Sequence, residues 1–223
     1  VRAEPASGDQ VEVIALKDGR DDPAQVTFQV NEHEGGVTLC AIYPNQDPDR
    51  PYRCLPNKIG KEQKLSANID GGRASLQFKS GGGFSVSAPD AGALSGRASL
   101  QFESGGGGEI RLSDVSVDFV VRVPKNIGFI GFTVVGQVET KSLASDVTAQ
   151  SVLGDVVIEL PSGGAATVQA KSDLGGIESD WPLTQKSRND LGQSAQGVIG
   201  GGQYNLQLDT AVGNIRLRRA QLQ

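Results

Sequence analysis

Phe129-Ile-Gly-Phe-Thr-Val-Val-Gly-Gln-Val138 returns as Val147-Thr-Ala-Gln-Ser-Val-Leu-Gly-Asp-Val156, as Val168-Gln-Ala-Lys-Ser-Asp-Leu-Gly-Gly-Ile177 and as Leu206-Gln-Leu-Asp-Thr-Ala-Val-Gly-Asn-Ile215. All four share one pattern: alternating apolar or small residues, a Ser or Thr, an apolar residue, a glycine, and Val or Ile two places on. A sequence unit that recurs this way marks a structural unit that stacks on itself. Each unit predicts two short strands joined by a tight glycine turn at Gly136, Gly154, Gly175 or Gly213. Their steps of 18, 21 and 38 residues leave room for one coil of short strands each, with extra chain in the last step.

The expected architecture is all-β: a β-solenoid of short-strand coils about 4.8 Å apart, each supplying its neighbour's backbone partners. Period-two alternation turns Val147, Ala149 and Ser151 to one face. The Ser/Thr column (Thr133, Ser151, Ser172, Thr210) is placed to hydrogen-bond along the stack or to cap the turn. Val135, Leu153, Leu174 and Val212 precede the glycines. They form either a buried corner or an apolar ridge for contact with another segment or subunit. Residues 178–203 read mostly as an excursion from the stack.

Upstream, residues 1–43 read as antiparallel strands: Val11/Val13/Ala15, then Val26/Phe28/Val30 and Val37/Leu39/Ala41 around a turn at 31–36. Gly72-Arg-Ala-Ser-Leu-Gln-Phe-Lys-Ser-Gly-Gly-Gly83 recurs 24 residues later with one change, Glu103 for Lys79. This reads as a duplicated β-hairpin, each copy a strand, a glycine turn and a second strand (Phe84/Val86; Ile110/Leu112). The glycine runs lack the Lys-Ser/Thr and the helix of a phosphate cradle. Val115 to Val123 alternates cleanly and ends at Pro124. The chain divides into 1–61, 62–112 and 113–223, read as one continuous domain.

Composition narrows the function. A net charge of -5 carries no nucleic-acid footprint, and no apolar run approaches a transmembrane span. The chain has no Met and no signal peptide, so an export leader outside this sequence is expected. Cys40 and Cys54 flank a Pro/Asp-rich stretch. With no Cys-x-x-Cys and His33 as the sole histidine, zinc lacks ligands, and no metal or cofactor is expected. A disulfide there would close a loop of about 15 residues and contribute about 3 kcal/mol; two free thiols are the alternative.

Val-Asp-Phe-Val-Val-Arg-Val-Pro124 and the Thr/Ser-x-x-Gly-x-Val units resemble the bacterial putative-adhesin β-solenoid domain family, whose function is uncharacterised. Gly-Gly-Val-Thr-Leu-Cys40-Ala-Ile-Tyr-Pro44 with Cys54 resembles its secreted, paired-cysteine members. The resemblance covers about residues 1–60 and 113–219. It implies an extracellular or cell-surface location on a bacterial envelope and no established catalytic residues. Family members often carry Asn before the turn glycine, where this chain has the apolar column.

The leading reading is a non-enzymatic, adhesin-like structural protein, with a homo-oligomer or surface filament as possible assemblies. Arg216, Arg218 and Arg219 are candidates to blunt an end of the stack. The alternative is a polysaccharide-binding or polysaccharide-cleaving β-helix. Cleavage would need clustered carboxylates, with Asp146, Asp155 and Glu159 the candidates. Binding of a surface glycan would draw on Trp181, Tyr43, Tyr52 and Tyr204.

Overall fold

The computed structural model describes residues 1–19, 22–34, 36–43, 115–188 and 191–220, with the side chains of Val134 and Arg188 excepted, and the backbone of 64–69, 72–79, 83–87 and 98–103. Apart from a 3₁₀ turn at Pro23–Gln25, the regular structure among the described residues is strand. In chain order the first strands are β1 (Arg2–Pro5), β2 (Glu12–Gly19), β3 (Thr27–His33), β4 (Gly36–Ile42), β5 (Lys64–Ile69), β6 (Gly72–Lys79), β7 (Gly83–Ser87), β8 (Ala98–Glu103) and β9 (Val115–Val123). The repeats follow as β10 (Phe129–Val135), β11 (Val138–Lys141), β12 (Val147–Leu153), β13 (Val156–Leu160), β14 (Ala166–Leu174) and β15 (Ile177–Ser179). The last strands are β16 (Thr184–Arg188), β17 (Gly192–Ile199), β18 (Tyr204–Val212) and β19 (Ile215–Arg219). Among the described residues no helix is long and apolar enough to cross a membrane.

Two compact units divide the chain: Val1–Leu16 with Asp118–Gln223, and Lys17–Val117. In the second unit β3 and β4 form an antiparallel hairpin around residues 34–35, where the sequence predicts the turn. A separate sheet runs β7-β6-β5-β8. The duplicated strands β6 and β8 flank β5, so Leu65 lies opposite Leu76 on one side and Phe102 on the other. The predicted strand at 110–112 lies outside the described residues.

The repeats build the first unit. Each contributes its first strand to one sheet, ordered β10-β12-β18-β14-β17-β16, and its second strand to another, ordered β15-β19-β13-β11-β1-β9-β2. We call each such strand pair a rung. Register follows the sequence repeat residue for residue: Thr133, Ser151, Thr210 and Ser172 lie side by side, as do Val135, Leu153, Val212 and Leu174. The second sheet keeps the same alignment through Val138, Val156, Ile215 and Ile177.

Coils wound in chain order are not what the pairing shows. The fourth copy (β18–β19) lies between the second (β12–β13) and the third (β14–β15) in both sheets. Packing supplies the reason. The central inward residue is Ala149 in the second copy, Ala170 in the third and Leu208 in the fourth, and Leu208 is fully buried between the two alanines. Chain order would set the two alanines against each other and leave space that a close-packed interior does not tolerate. At the first rung the Phe129 ring occupies the space over Gly131, where a Cβ would meet it at 2.8 Å.

The core between the sheets is built from Ile158, Leu206, Leu208, Ile215, Leu217 and the smaller residues around them. Residues 178–203 depart from expectation too. Rather than leaving the stack, β17 pairs antiparallel with β14 and β16 pairs with β17, extending the sheet. β1 is a strand that sequence reasoning missed. It runs parallel to both β11 and β9, in a region read as antiparallel.

Candidate functional site

The repeated polar positions gather at one corner of the rungs, where each chain passes from one sheet to the other. The turn glycines have φ of 127° (Gly136), 147° (Gly154), 152° (Gly213) and 144° (Gly175), a backbone region that L side chains rarely adopt. Close approach is the second reason for glycine. A Cβ on Gly154 would lie 2.0 Å from the Gly136 carbonyl oxygen, one on Gly213 2.2 Å from that of Gly154, and one on Gly175 2.0 Å from that of Gly213.

The Ser/Thr column binds those same carbonyls. Ser151 Oγ donates to Gly136 O at 2.9 Å, Thr210 Oγ1 to Gly154 O at 2.8 Å and Ser172 Oγ to Gly213 O at 2.9 Å. All three hydroxyls are buried and all point toward the β10 side of the stack. Thr133, on the first rung, instead donates to Val135 O of its own strand at 3.0 Å.

A third column stands after the glycines. The Gly176 N–H donates to Asn214 Oδ1 at 3.0 Å, and the Asn214 N–H donates to Asp155 Oδ1 at 2.7 Å. Arg216 adds a 2.6 Å ion pair to Asp155 Oδ2 and a longer one, 3.5 Å, to Glu178. Burial alone would raise the Asp155 carboxyl. The Asn214 N–H and the Arg216 guanidinium outweigh it and hold the pKa below its ordinary value.

The three candidate carboxylates are each engaged separately. Asp155 holds Asn214 and Arg216, Asp146 accepts from the Asn205 N–H at 2.7 Å, and Glu159 accepts from Ser142 Oγ at 3.0 Å. His33 ends β3, its ring nitrogen 3.1 Å from Thr38 Oγ1. Among the described residues no group of three or more His, Cys, Asp or Glu is placed to hold a metal ion.

The apolar corner column is aligned but unevenly covered. Val135 is 54% exposed, whereas Leu153, Val212 and Leu174 are half-buried. Of the aromatic candidates, Trp181 is half-buried against the core, with the Arg219 guanidinium 5.4 Å from its ring centroid. Tyr204 opens β18 opposite Ala166, and Tyr43, half-buried, follows β4. Tyr52 and Cys54 lie outside the described residues, and with Cys54 the expected Cys40–Cys54 pairing; Cys40 itself is on β4. Arg216, Arg218 and Arg219 do not sit at an end of the stack. Their strand β19 runs between β13 and β15, because the fourth copy is an interior rung.

Sequence reasoning also missed two clusters. Asp209, Lys171 and Gln150 align across three strands on the outer face. Burial pushes the Asp209 carboxyl up, against the pull of Lys171, Gln150 and Gln207, and nearby Asp173 adds to the rise. The row was legible as aligned polar positions between the inward residues of each copy. The second is a shallow concavity lined by the 6–13 segment and Arg122, whose guanidinium is held by Glu4 at 3.0 Å and Glu12 at 2.6 Å.

No family model matches the chain, and no curated relative matches it. Among solved structures, the crystal structure of a protein described as a putative cell adhesion protein from Clostridium sporogenes is similar at 8% identity and a TM-score of 0.38, covering 98% of this chain and 87% of that one. A likeness of that size carries no argument about fold or role.

Proposed function

We propose that this chain is a non-catalytic, adhesin-like structural protein of the bacterial cell surface or extracellular space, built as a β-solenoid in which the third and fourth coils have exchanged places. One observation carries the reading. From the second copy on, the Ser/Thr and Gly that the repeat preserves, together with the varied residue after Gly, are engaged in bonds from rung to rung. A repeat kept for stacking is what a scaffold requires, because no single rung can bury its own core. The carboxylates that a polysaccharide-cleaving site would need hold the backbone and side chains of neighbouring segments instead.

The test is a surface-display assay. Cells displaying the protein should attach to matrix- or glycan-coated surfaces more than undisplayed cells, with no soluble sugar released from a polysaccharide panel. Sugar release by the purified protein that disappears in Glu159→Gln, with the melting temperature unchanged, would overturn the reading in favour of an enzyme.

A further inference from the structure

We infer that the outer face of the sheet running from β10 to β16 is a binding site for an extended, uncharged β-1,4-linked glycan that lies across the strands. The pairing sets one outward position of each strand in a single row: Ile130, Thr148, Gln207, Gln169, Gln196 and Thr184. Thr148 is half-buried and the other five are exposed. The row is unbroken over all six strands, although the last two belong to the hairpin of β16 and β17. Neighbouring strands lie about 4.8 Å apart, so the row is about 24 Å long, and one step along it is close to the length of one pyranose ring in an extended chain.

Charge separates this face from that of the other sheet. There the outward positions are ionic: Arg2 pairs with Glu139 and Arg216 with Glu178, and Arg218, Glu159 and Lys141 stand side by side. No position of the amide row carries a charge. Beside it, Lys171 is held by Asp173 at 2.9 Å and lies opposite Asp209. A charged polymer therefore meets no field of one sign here.

The chemistry of the row selects among uncharged partners. A primary amide carries two donors and a carbonyl acceptor, and a hydroxyl both donates and accepts. Covering such groups costs free energy unless each finds a partner. Protein interfaces are centred on aromatic and apolar anchors, and β18, β14, β17 and β16 place none in this row. A sugar chain presents hydroxyls that donate and accept along its whole length, one set per ring, at the spacing of the amides. At the β10 end, exposed Ile130 and the half-buried ring of Phe132, opposite Gln150 in the adjoining row, form an apolar pad for the C–H face of a ring. This ligand class deepens the adhesin-like reading and rests on it.

Isothermal titration calorimetry of the intact protein with cellohexaose, xylohexaose and mannohexaose is the test. At least one should bind saturably at one site, about tenfold more tightly than its own disaccharide, which engages less of the row. Raising NaCl from about 50 to 500 mM should leave the affinity unchanged. Gln169→Ala and Gln196→Ala should each weaken binding about tenfold, through the lost amide hydrogen bonds. Lys141→Ala, on the outer face of the other sheet, should change nothing. Absent binding of all three hexasaccharides, indifference to both glutamine variants, or loss of binding in salt would overturn the proposal. The display assay keeps the two readings apart. Cells that still attach when displaying the double variant, with no hexasaccharide bound by the purified protein, would remove the site and leave adhesion standing. Attachment to a protein-coated surface that the double variant abolishes, again with no hexasaccharide bound, would make the face a protein-docking surface and overturn the proposal. Hexasaccharide binding by a protein whose display leaves cells unattached would uphold the site and overturn the adhesin-like reading.

Discussion

The two ends of the sheet that carries the repeats follow opposite rules. At the β14 end the parallel stack is stopped by a reversed hairpin. β17 pairs antiparallel from Ala166↔Ile199 to Ser172↔Gln193, and β16 covers it with exposed Thr184, Gln185, Lys186 and Ser187. Glutamines finish the neighbouring edge: Gln193 Oε1 accepts from the Ile177 N–H at 2.7 Å, and Gln185 Nε2 donates to Ile177 O at 3.3 Å. Polar cover of this kind is how natural sheets resist edge-to-edge pairing. At the β10 end the sheet stops, among the described residues, at a parallel strand with exposed Ile130 and Val135, and the hydroxyl of the ladder has folded back. The contrast teaches that, among the described residues, this repeat is terminated on one side by sequence that breaks its pattern and ends on the other in a strand of the pattern itself.

The largest effect that would break this comparison comes from the turn glycines. Gly154→Ala drives a Cβ into the Gly136 carbonyl and should cost about 4 kcal/mol or more. Gly136→Ala meets open space and should cost about 1–2 kcal/mol, the backbone strain alone. Urea unfolding of both variants checks this. Equal costs would mean that the β10 end is not open.

Next comes the rung order. Leu208→Ala should cost about 2–5 kcal/mol, since Ala149 and Ala170 on either side cannot refill the space. Ile130→Ala at the open edge should stay within about 0.5 kcal/mol. A mild Leu208→Ala would remove the packing reason for the fourth copy's interior position.

The Ser/Thr column gives a smaller contrast. Ser172→Ala leaves the Gly213 carbonyl without its hydroxyl donor in a buried site and should cost about 1–3 kcal/mol, whereas Thr133→Val should be nearly silent in stability. Thr140 runs the other way. Its side chain is buried at the position where Ile158 and Leu217 stand on the next rungs, and among the described residues its hydroxyl has no hydrogen-bond partner. Thr140→Val should therefore stabilise the fold by about 1 kcal/mol, read as a raised midpoint in the same urea titration.

Local pattern made much of this legible. The spacing of Ser/Thr and Gly predicts the strand pairs, their faces and the register, because equivalent residues must meet when a unit stacks on its copies. What it does not encode is which copy meets which. All four present the same backbone, and the choice rests on the volumes of Ala149, Ala170 and Leu208, a comparison between copies rather than a feature of any one. β1 escaped notice because Val1-Arg-Ala carries only the tail of the pattern. The hairpin of β16 and β17 escaped because it reads as polar, glycine-broken chain, and its place comes from pairing with β14 rather than from an apolar face. Among candidate site residues, the glycine and hydroxyl columns were visible as repeats. The roles of Asp155 and Arg216 were not, since the two pair between the second copy and the fourth, which the chain reaches only after the β16–β17 hairpin.

Acid should give the smallest effect and separate two carboxylates of the interior rungs from each other. Asp155 and Asp209 both bridge interior rungs, and their carboxyls shift in opposite directions from the ordinary value of 3.8. For Asp155 the folded pKa lies below the unfolded one, so its contribution is present above pH 3.8 and is lost as the pH falls through the folded value. For Asp209 the folded pKa lies above the unfolded one. Its contribution is full below pH 3.8 and is lost as the pH rises through the folded value, leaving a penalty at neutrality despite Lys171. Asp155→Asn should therefore destabilise at pH 7 and lose that effect as the pH falls through the lowered folded pKa. Asp209→Asn should be neutral or stabilising at pH 7 and lose that advantage in acid. Unfolding midpoints measured against pH for both variants decide the matter. Parallel pH profiles for the two would contradict the opposite environments assigned to them.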